Sequence, residues 1–464
     1  MRFYDRTEEL QDLREVMRQS FDDHSRLTVL TGRRRIGKTS LGLKALEGMP
    51  MIYLFVSRKN ESVLAQEYAE LITSELGEYV PGNVTRFSEV FRALMEIGKR
   101  RKFSIFIDEF QEFVNINPSV FSDMQNIWDR YRKDTHVNLI ISGSVFTLME
   151  KIFKDEKEPL FGRADLIMKL NPFTTDVLRE ILGDHKADYE ADDLLALYSI
   201  TGGVPKYVEL LMNNGCTTLD RMVRFITKPD SPFLDEGRNM LIHEFGKQYG
   251  TYFSILGCMA NGEVTQADIE ARLGEKSLGG QLRLLEEKYE LVQKKRPILS
   301  KQGSQAVRFE VKDLFLRFWF RYFDRYRSLI EIGNTKALAQ IIKNDYPIYS
   351  GLVLERWFRQ RMMESYRYAN IGSWWVPKQG EPYEIDIVAV TLEGDVEAYE
   401  VKRQRKKYSP ALLESKVAEM QNISSRERSS KRHACRWRIC EEGNKWFPPH
   451  FTCTLRQGVI KVSK

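Results

Sequence analysis

The sequence predicts an α/β chain of several domains that opens with a parallel β-sheet carrying helices on both faces. Three observations predict this fold class. In the first third, short apolar segments rich in β-branched residues alternate with helix-like segments. In the last third, an amphipathic helix precedes two alternating strands joined by a turn, which predicts a second α/β domain. With 464 residues, the chain is also too long for one ordinary domain.

The composition is that of a globular protein and excludes several other classes. Hydrophobic residues make up 42% of the chain and charged residues 29%. No apolar run approaches the ~18–20 residues of a membrane helix, and the start, MRFYDRTEEL, lacks the apolar stretch of a signal peptide. Five cysteines in so long a chain do not make a disulfide framework. We therefore expect a cytoplasmic protein with no membrane partner.

The segment Gly32–Ser40, GRRRIGKTS, matches the phosphate-binding pattern G-x-x-x-x-G-K-[ST] in full. It follows a predicted strand, RLTVLTG, and precedes a predicted helix, KTSLGLKALEG, which is the context that this loop requires. An arginine-rich loop that fits the pattern by chance is the disfavoured alternative. The residues predicted to contact a nucleotide are Gly32, Arg33, Arg34, Arg35, Ile36, Gly37, Lys38, Thr39 and Ser40.

The residue types in this loop have specific tasks. Gly32 and Gly37 let backbone N–H groups turn towards the phosphates, and the new helix adds its positive end. Lys38 is predicted to reach the β- and γ-phosphates, and the Thr39 hydroxyl to bind Mg²⁺.

A pair of acids is predicted at the end of a buried strand. Strands are predicted at Met51–Ser57 and at Phe103–Phe113 (FSIFIDEFQEF), and the second carries Asp108 and Glu109. Open parallel sheets bind ligands at the carboxyl ends of their strands. Asp108 is predicted to hold the Mg²⁺ shell, and Glu109 to polarise a water for attack on the γ-phosphate. Acids at a strand end are common, but together with the loop this pair favours an ATPase, with ATP as its nucleotide.

Two later segments add candidate residues. A fourth strand, Val137–Ser144, ends with Ser142 or Ser144 placed to sense the γ-phosphate, and the alternative is a serine in a strand-end turn. Arg163, in PLFGR, is predicted to stabilise charge on the transferred phosphate, in cis or across a subunit contact. The alternative for Arg163 is an exposed surface arginine.

Six motifs in this order resemble the archaeal-type ATPase family, which is related to the STAND and AAA+ groups: FYDRTEEL, GRRRIGKT, FIDEF, ISGS, PLFGR and TGGVPKY. The resemblance covers residues 1–345. It implies an ATPase core (1–172), a helical lid (173–245) and a winged helix with a connecting aromatic helix (246–345). It also implies that Arg6 lies near the adenine. Members of this family switch or assemble with ATP, which implies a homo-oligomer, and many occur near mobile elements or defence functions.

The predicted winged helix has an uncertain partner. Its third helix, Leu278–Lys288, and the segment QKKRP after it are the parts that would face DNA. In that helix Arg283 and Lys288 are balanced by Glu286 and Glu287. Because these charges nearly cancel, a structural or regulatory winged helix is favoured over a DNA reader.

Residues 346–464 contain a second group of chemically capable side chains. A predicted helix carries Glu355, and a predicted hairpin carries Asp386, Glu400 and Lys402. Alternate side chains of a strand share a face, so Glu400 and Lys402 project together, and the hairpin brings Asp386 beside them. Two acids, Asp386 and Glu400, with a lysine can hold Mg²⁺, lower the pKa of a water and stabilise a pentavalent phosphate. A solvent-facing amphipathic hairpin is the alternative.

This arrangement resembles the restriction-endonuclease-like superfamily, which implies a nuclease-like domain at 346–464 and cleavage of phosphodiesters by Glu355, Asp386, Glu400 and Lys402. The net charge is +6, and the tail from Lys402 onward is far more basic than the whole. Cations interleaved with aromatic residues predict DNA as a partner. These aromatic residues are Trp374, Trp375, Tyr408 and Trp437. A zinc site is the disfavoured alternative, because the spacing fits no regular zinc ribbon: His433, Cys435, Cys440, His450 and Cys453.

Two functions from different classes remain. In the first, the chain is an ATP-switched DNase of a defence or mobile-element system. In the second, it is a regulatory ATPase whose C-terminal domain only binds nucleic acid or a protein partner.

Overall fold

The structure of the chain is a computed structural model that describes residues 1–80, 82–144, 146–246, 249–300, 306–376, 383–404 and 409–427, with three short strands beyond them. It divides into two compact units. The first unit comprises Arg2–Pro172 and Val204–Lys206, and the second comprises Met1, Phe173–Gly203 and Tyr207–Lys464. Within the described ranges, no helix combines the length and the apolar character needed to cross a membrane.

The first unit is built on a five-stranded parallel sheet with the order β2-β3-β4-β1-β5. Its strands are β1 (Arg26–Thr31), β2 (Met51–Phe55), β3 (Phe103–Asp108), β4 (Val137–Ser142) and β5 (Leu166–Lys169). Every residue of β3 and β4 is buried, as expected for parallel strands covered on both faces. The predicted α/β class is confirmed.

Helices cover both faces of this sheet. They are α1 (Thr7–Asp22), α2 (Lys38–Ala45), α3 (Glu61–Leu76), α4 (Phe87–Gly98), α5 (Phe113–Ile116), α6 (Ser119–Tyr131) and α7 (Phe146–Lys154). On one face, Phe87 of α4 belongs to the same apolar cluster as Ile105 of β3. On the other face, Leu13 of α1 and Leu41 of α2 cluster with Phe106, the next residue of β3. The alternation of side chains along β3 therefore supplies both cores.

The second unit begins with helices. They are α8 (Thr175–His185), α9 (Ala191–Thr201), α10 (Pro205–Asn213, whose first two residues belong to the first unit), α11 (Leu219–Thr227), α12 (Phe233–Phe245), α13 (Tyr249–Asn261), α14 (Gln266–Leu273) and α15 (Gly279–Arg283). A π-helical segment, Leu284–Lys288, extends α15. The antiparallel hairpin of β6 (Val292–Lys295) and β7 (Arg308–Val311) completes the winged-helix pattern of elements.

The predicted domain boundary between residues 345 and 346 falls inside one long helix. After α16 (Leu314–Trp319), a π-helical segment (Phe320–Asp324) and α17 (Arg327–Glu331), the 30-residue helix α18 runs from Thr335 to Glu364. Buried residues keep helical spacing straight across that boundary: Leu338, Ile342, Tyr346, Tyr349 and Val353. The apolar stripe is therefore continuous, and the helix continues through Pro347.

The last described elements form a sheet and a helix. They are β8 (Tyr368–Trp375), β9 (Glu384–Thr391), β10 (Val396–Val401), α19 (Pro410–Glu427), β11 (Trp437–Ile439), β12 (Cys453–Thr454) and β13 (Gly458–Ile460). The sheet order is β13-β11-β10-β9-β8, and β12 pairs with β10. The antiparallel β9–β10 pair is the predicted hairpin.

The β6–β7 hairpin is anchored by buried charges. Glu310 accepts Lys295 at 2.5 Å and Arg356 of α18 at 2.8 Å. Burial raises the pKa of Glu310, but Arg356 and Lys295 outweigh it and hold that pKa well below its usual range. Burial lowers the pKa of Lys295 to about 8. Arg356 also donates to the Val311 carbonyl at 2.6 Å. This one side chain of α18 therefore binds both a side chain and the backbone of the hairpin.

The loop of the same hairpin packs into the last sheet. Ile298 is 6% exposed and shares an apolar cluster with Trp374 and Val388, and its backbone N–H donates to the Ser373 carbonyl at 2.8 Å. Arg308 donates to both carboxylate oxygens of Glu384 at 3.0 Å. The wing is therefore part of the core of the C-terminal sheet.

Two helix glycines in the second unit predict opposite responses to alanine. A Cβ at Gly237 would lie 2.3 Å from Cδ2 of the buried Trp319, whereas a Cβ at Gly351 would meet nothing within 4 Å. We expect Gly237→Ala to lower the calorimetric unfolding temperature, because overpacking costs about 1–3 kcal/mol and outweighs the gain in helix propensity. Gly351→Ala should raise the unfolding temperature, because alanine in a helix adds up to about 1 kcal/mol to the free energy of unfolding. Equal shifts of one sign would contradict the packing of α12 on Trp319.

Candidate functional site

The phosphate-loop pattern forms the turn between β1 and α2. Gly32 and Gly37 have φ angles of 136° and 91°, which other residues rarely adopt. A Cβ at Gly32 would also lie 2.9 Å from the Leu170 carbonyl oxygen. The Lys38 ammonium donates to the carbonyl oxygens of Gly32 at 2.9 Å and of Arg33 at 3.1 Å. The lysine is therefore folded back across the loop.

Other loop residues have different surroundings. Ile36 is 2% exposed and packs in the apolar cluster beneath the loop, so it offers a ligand its backbone. Arg34 and Ser40 are exposed. The Arg35 carbonyl accepts the backbone N–H of Lys206 at 3.3 Å, which brings residues 204–206, the part of TGGVPKY in the first unit, against the loop. From sequence, that segment was predicted only as a turn before a helix.

Three hydroxyl groups converge on Asp108, which is 4% exposed at the end of β3. The Thr39 hydroxyl donates to its Oδ2 at 2.6 Å, the Tyr53 hydroxyl donates to the same atom at 3.0 Å, and the Ser142 hydroxyl donates to Oδ1. Burial and the Asp108 charge raise the pKa of Tyr53, which keeps it a neutral donor. The Thr39 hydroxyl and the Asp108 carboxylate are adjacent oxygen ligands, which fits Mg²⁺.

Glu109 ends the strand earlier than predicted. Its φ of 55° turns the chain into a short 3₁₀ helix, Phe110–Glu112, so β3 stops at Asp108 rather than at Phe113. The Glu109 carboxylate accepts the Gln111 amide at 2.5 Å and the Ser144 hydroxyl at 2.7 Å. Ser142 and Ser144, which were alternatives, therefore contact one acid each.

Tyr53 and Gln111 are residues that sequence reasoning missed. Tyr53 reaches Asp108 because β2 pairs with β3, and strand order is not readable from local pattern. Gln111 lies within the quoted motif FIDEFQEF, and its polar side chain two residues after Glu109 was the available signal.

The two outlying arginines are held by protein groups. Arg6 is 7% exposed and donates to Glu9 at 2.8 Å and to the Asn171 carbonyl. Arg163, with a side chain 27% exposed, pairs with Asp129 of α6 at 3.1 Å. In this position Arg163 is neither a fully exposed surface arginine nor free to contact a phosphate. Its role towards a phosphate stays a prediction.

The hairpin brings the predicted acids and lysine together. The Lys402 ammonium lies 3.1 Å from Oδ2 of Asp386 and 2.8 Å from Oε1 of Glu400. The Val401 backbone N–H donates to Asp386 at 2.7 Å. Burial lowers the pKa of Lys402, but Asp386 and Glu400 outweigh it, so this pKa is raised and the lysine stays charged.

Glu355 of α18 belongs to the same group. Burial, and then the Asp386 charge, raise the pKa of Glu355 to about 8. Burial, and then Glu400, also raise the pKa of Asp386. Arg359 bridges the two elements, because it donates to Glu355 at 3.3 Å and to the Asp386 carbonyl at 3.2 Å. The raised pKa favours the protonated form of Glu355.

For a metal ion, this group of side chains offers the carboxylates of Asp386 and Glu400. Within the described ranges, no three His, Cys, Asp or Glu side chains are arranged to hold a metal ion. Asp386 and Glu400 fit Mg²⁺, which often binds through one or two carboxylates and waters. A further cation, Lys416 of α19, contacts Glu400 at 3.0 Å and was missed from the sequence. Its signal was a lysine in register with the inward-facing Leu413 and Met420.

The predicted nucleic-acid surfaces are corrected in part. Lys295 of QKKRP is partly buried and paired with Glu310, whereas Arg296 of the same segment is exposed, so only part of this segment is a free basic surface. Trp374 and Trp375 are 4% and 5% exposed, because they pack in and beside the core of the C-terminal sheet, and so they do not offer stacking surfaces. Most of the basic tail lies outside the described residues, as do Tyr408 and the side chain of Trp437. The side chains of the zinc alternative lie outside them as well.

Comparisons with known proteins identify an ATPase domain in the first part of the chain. A family described as an ATPase domain predominantly from Archaea matches residues 3–211. A family of archaeal and bacterial proteins of unknown function matches residues 319–418. Among solved structures, the Walker-type ATPase paby2304 of Pyrococcus abyssi aligns over 69% of this chain and 96% of that one, with a TM-score of 0.51 at 20% identity, which is a likeness of fold.

Two proteins of Methanocaldococcus jannaschii are similar in sequence. The uncharacterized protein MJECL04 is 32% identical over 397 residues, which is 84% of either chain. The uncharacterized protein MJ0424 is 40% identical over 67 residues, 14% of this chain and 65% of its own. The predicted resemblance to archaeal ATPases is confirmed, and the nuclease-like resemblance stays a prediction. The chain belongs to the same family as MJECL04, and residues 3–211 are an ATPase domain of the predominantly archaeal type.

Proposed function

We propose that this chain is an ATP-hydrolysing switch whose C-terminal hairpin cleaves DNA with a divalent cation. The observation that carries the nuclease part is the Lys402 ammonium, which lies within 3.1 Å of both Asp386 and Glu400. The family resemblance favours a role in defence or in the biology of mobile elements.

In the ATPase unit, the loop amides and Lys38 bind the β- and γ-phosphates. Thr39 and Asp108 hold Mg²⁺, which neutralises charge on the phosphates when bound. Glu109, oriented by Gln111 and Ser144, polarises the attacking water. Arg163 would stabilise the transferred phosphate, in cis or in a homo-oligomer, after leaving Asp129.

In the hairpin, Asp386 and Glu400 would hold a divalent cation, which would supply the means to lower the pKa of a water. Lys402 stabilises negative charge on the phosphate. Glu355, whose pKa of about 8 keeps it mostly protonated at neutral pH, is better suited to donate a hydrogen bond than to bind metal.

A second function is favoured by the ion pairs at the same place. Lys402 and Lys416 already occupy the carboxylate oxygens of Asp386 and Glu400 that a catalytic metal would need, which favours a domain that does not cut. In this case the chain is a regulatory ATPase whose C-terminal domain binds nucleic acid or a protein partner.

Direct contacts within the second unit support coupling between the predicted lid and the hairpin. Arg403, next to Lys402, donates to both carboxylate oxygens of Asp192 in α9, at 2.6 and 2.7 Å. Glu364 of α18 caps the first turn of α8 at Thr175. This route passes through α18, which itself carries Glu355. Chain continuity joins α9 to residues 204–206, which lie with the phosphate loop.

Lys38→Ala should reduce ATP hydrolysis by at least ~10²-fold and weaken nucleotide binding, because the β- and γ-phosphates lose their cation. Hydrolysis is measured by phosphate release, and binding by calorimetry. Lys44→Ala, on the exposed face of the same helix, is the matched control and should keep full turnover. Unchanged turnover in Lys38→Ala would remove the nucleotide assignment.

Glu109→Gln should retain ATP affinity within about threefold and lose hydrolysis, because the contacts of Thr39 and Asp108 survive while the water loses its base. Glu112→Gln, which only loses its pair with Arg58, is the control. Lost ATP binding in Glu109→Gln would show that Glu109 holds the nucleotide rather than the water.

Glu400→Gln and Lys402→Met should each abolish divalent-dependent nicking of plasmid DNA and leave ATP hydrolysis intact, because the two sets of residues are separate. Glu393→Gln, in the exposed turn of the hairpin, should nick like the wild type. Nicking is assayed with Mg²⁺ or Mn²⁺, with ATP, ADP or no nucleotide. If the wild-type chain binds duplex DNA but never nicks it under these conditions, the binding function replaces the nuclease.

A further inference from the structure

The Glu400 carboxylate is clamped between two lysines from different elements. Lys402 of the hairpin reaches Oε1 at 2.8 Å, and Lys416 of α19 reaches Oε1 at 3.0 Å and Oε2 at 3.2 Å. Glu400 is 6% exposed, and the Lys416 side chain is 12% exposed. Both oxygens of a buried carboxylate are therefore occupied by ammonium groups.

Asp386 is occupied at one of its two oxygens. Its Oδ2 accepts the Lys402 ammonium at 3.1 Å and the Val401 backbone N–H at 2.7 Å. A divalent cation at Asp386 and Glu400 would have to displace these ammonium groups, because an ammonium and a cation compete for the same oxygens. The displaced lysines would then need another anion close by.

We propose that Lys402 and Lys416 act as internal counter-ions that keep this site closed to metal until a phosphodiester draws them away. This inference rests on the proposed nuclease function. It assigns Lys416 as a positioning residue and makes the binding of metal and of a phosphate backbone mutually reinforcing. By linkage, each ligand raises the affinity of the other by the same factor.

The packing of α19 allows such an exchange without unfolding. Leu413, Val417 and Met420 fix the helix to the sheet through an apolar cluster. Only the flexible four-carbon stems of Lys402 and Lys416 have to move. In a variant without Lys416, Lys402 should still pair with Glu400.

The test measures Mn²⁺ binding to the full chain without nucleotide, by electron paramagnetic resonance of the free ion. The site is defined as the binding lost in Asp386→Asn. Lys416→Met should bind Mn²⁺ roughly tenfold more tightly than the wild type, within the usual range of coupling between sites. Lys416→Arg keeps a cation and should stay at the wild-type affinity. Lys343→Met, which removes a lysine paired with Asp220 elsewhere in the unit, should also leave it unchanged.

A second measurement follows a fluorescein-labelled DNA duplex by anisotropy, with and without Ca²⁺. Ca²⁺ should tighten DNA binding to the wild type, and this gain should shrink in Lys416→Met. Thermal unfolding verifies that each variant is folded, and if Lys416→Met is not, Lys416→Gln replaces it. If Lys416→Met binds Mn²⁺ with an affinity equal to or weaker than that of the wild type, the inference is overturned. When that result accompanies metal-dependent nicking by the wild type, the proposed nuclease stands. When Asp386→Asn removes no Mn²⁺ binding and nicking is absent, both fail.

Discussion

The second unit depends on the buried pairing of Arg356 with Glu310. Three charges, those of Lys295, Glu310 and Arg356, are partly withdrawn from water together, and each finds an opposite charge within 2.8 Å. Such burial is costly unless geometry and hydrogen bonds compensate it, and the Val311 carbonyl supplies one further acceptor. This network fixes the rotation of α18 about its axis. One residue before Arg356, Glu355 is thereby directed to Asp386 rather than to solvent.

The two charged centres differ in the donors that satisfy their acids. Asp108 accepts hydroxyl groups from Thr39, Tyr53 and Ser142, and a hydroxyl oxygen can remain as a neighbour or ligand when a cation arrives. Asp386 and Glu400 accept ammonium groups, which a cation repels. The first centre is therefore suited to bind a metal with its nucleotide, whereas the second favours an exchange of one cation for another.

Local pattern predicted most of the ATPase unit. The loop, its flanking strand and helix, and the acid pair are contiguous in sequence, so their chemistry is visible without a fold. The hairpin acids were also predictable, because strand alternation and one turn determine their proximity. By contrast, Tyr53 and Lys416 act across strand pairing and helix packing, which no local window contains. The packing of Lys295, Trp374 and Trp375 escaped prediction for the same reason. A local sequence does not distinguish a basic or aromatic residue on the surface from one that packs against another part of the chain.

The wing of the winged helix has a consequence for how this chain can evolve. Ile298 completes the apolar cluster of the C-terminal sheet, and Arg308 neutralises Glu384 on strand β9. A gene fusion that kept the winged helix but exchanged the sheet would leave an apolar side chain and an arginine without partners. Recombination between the winged helix and the C-terminal sheet would therefore lower stability, and we expect the two segments to be inherited together. Modular exchange, which creates many multidomain proteins, is available only at other joints of the chain.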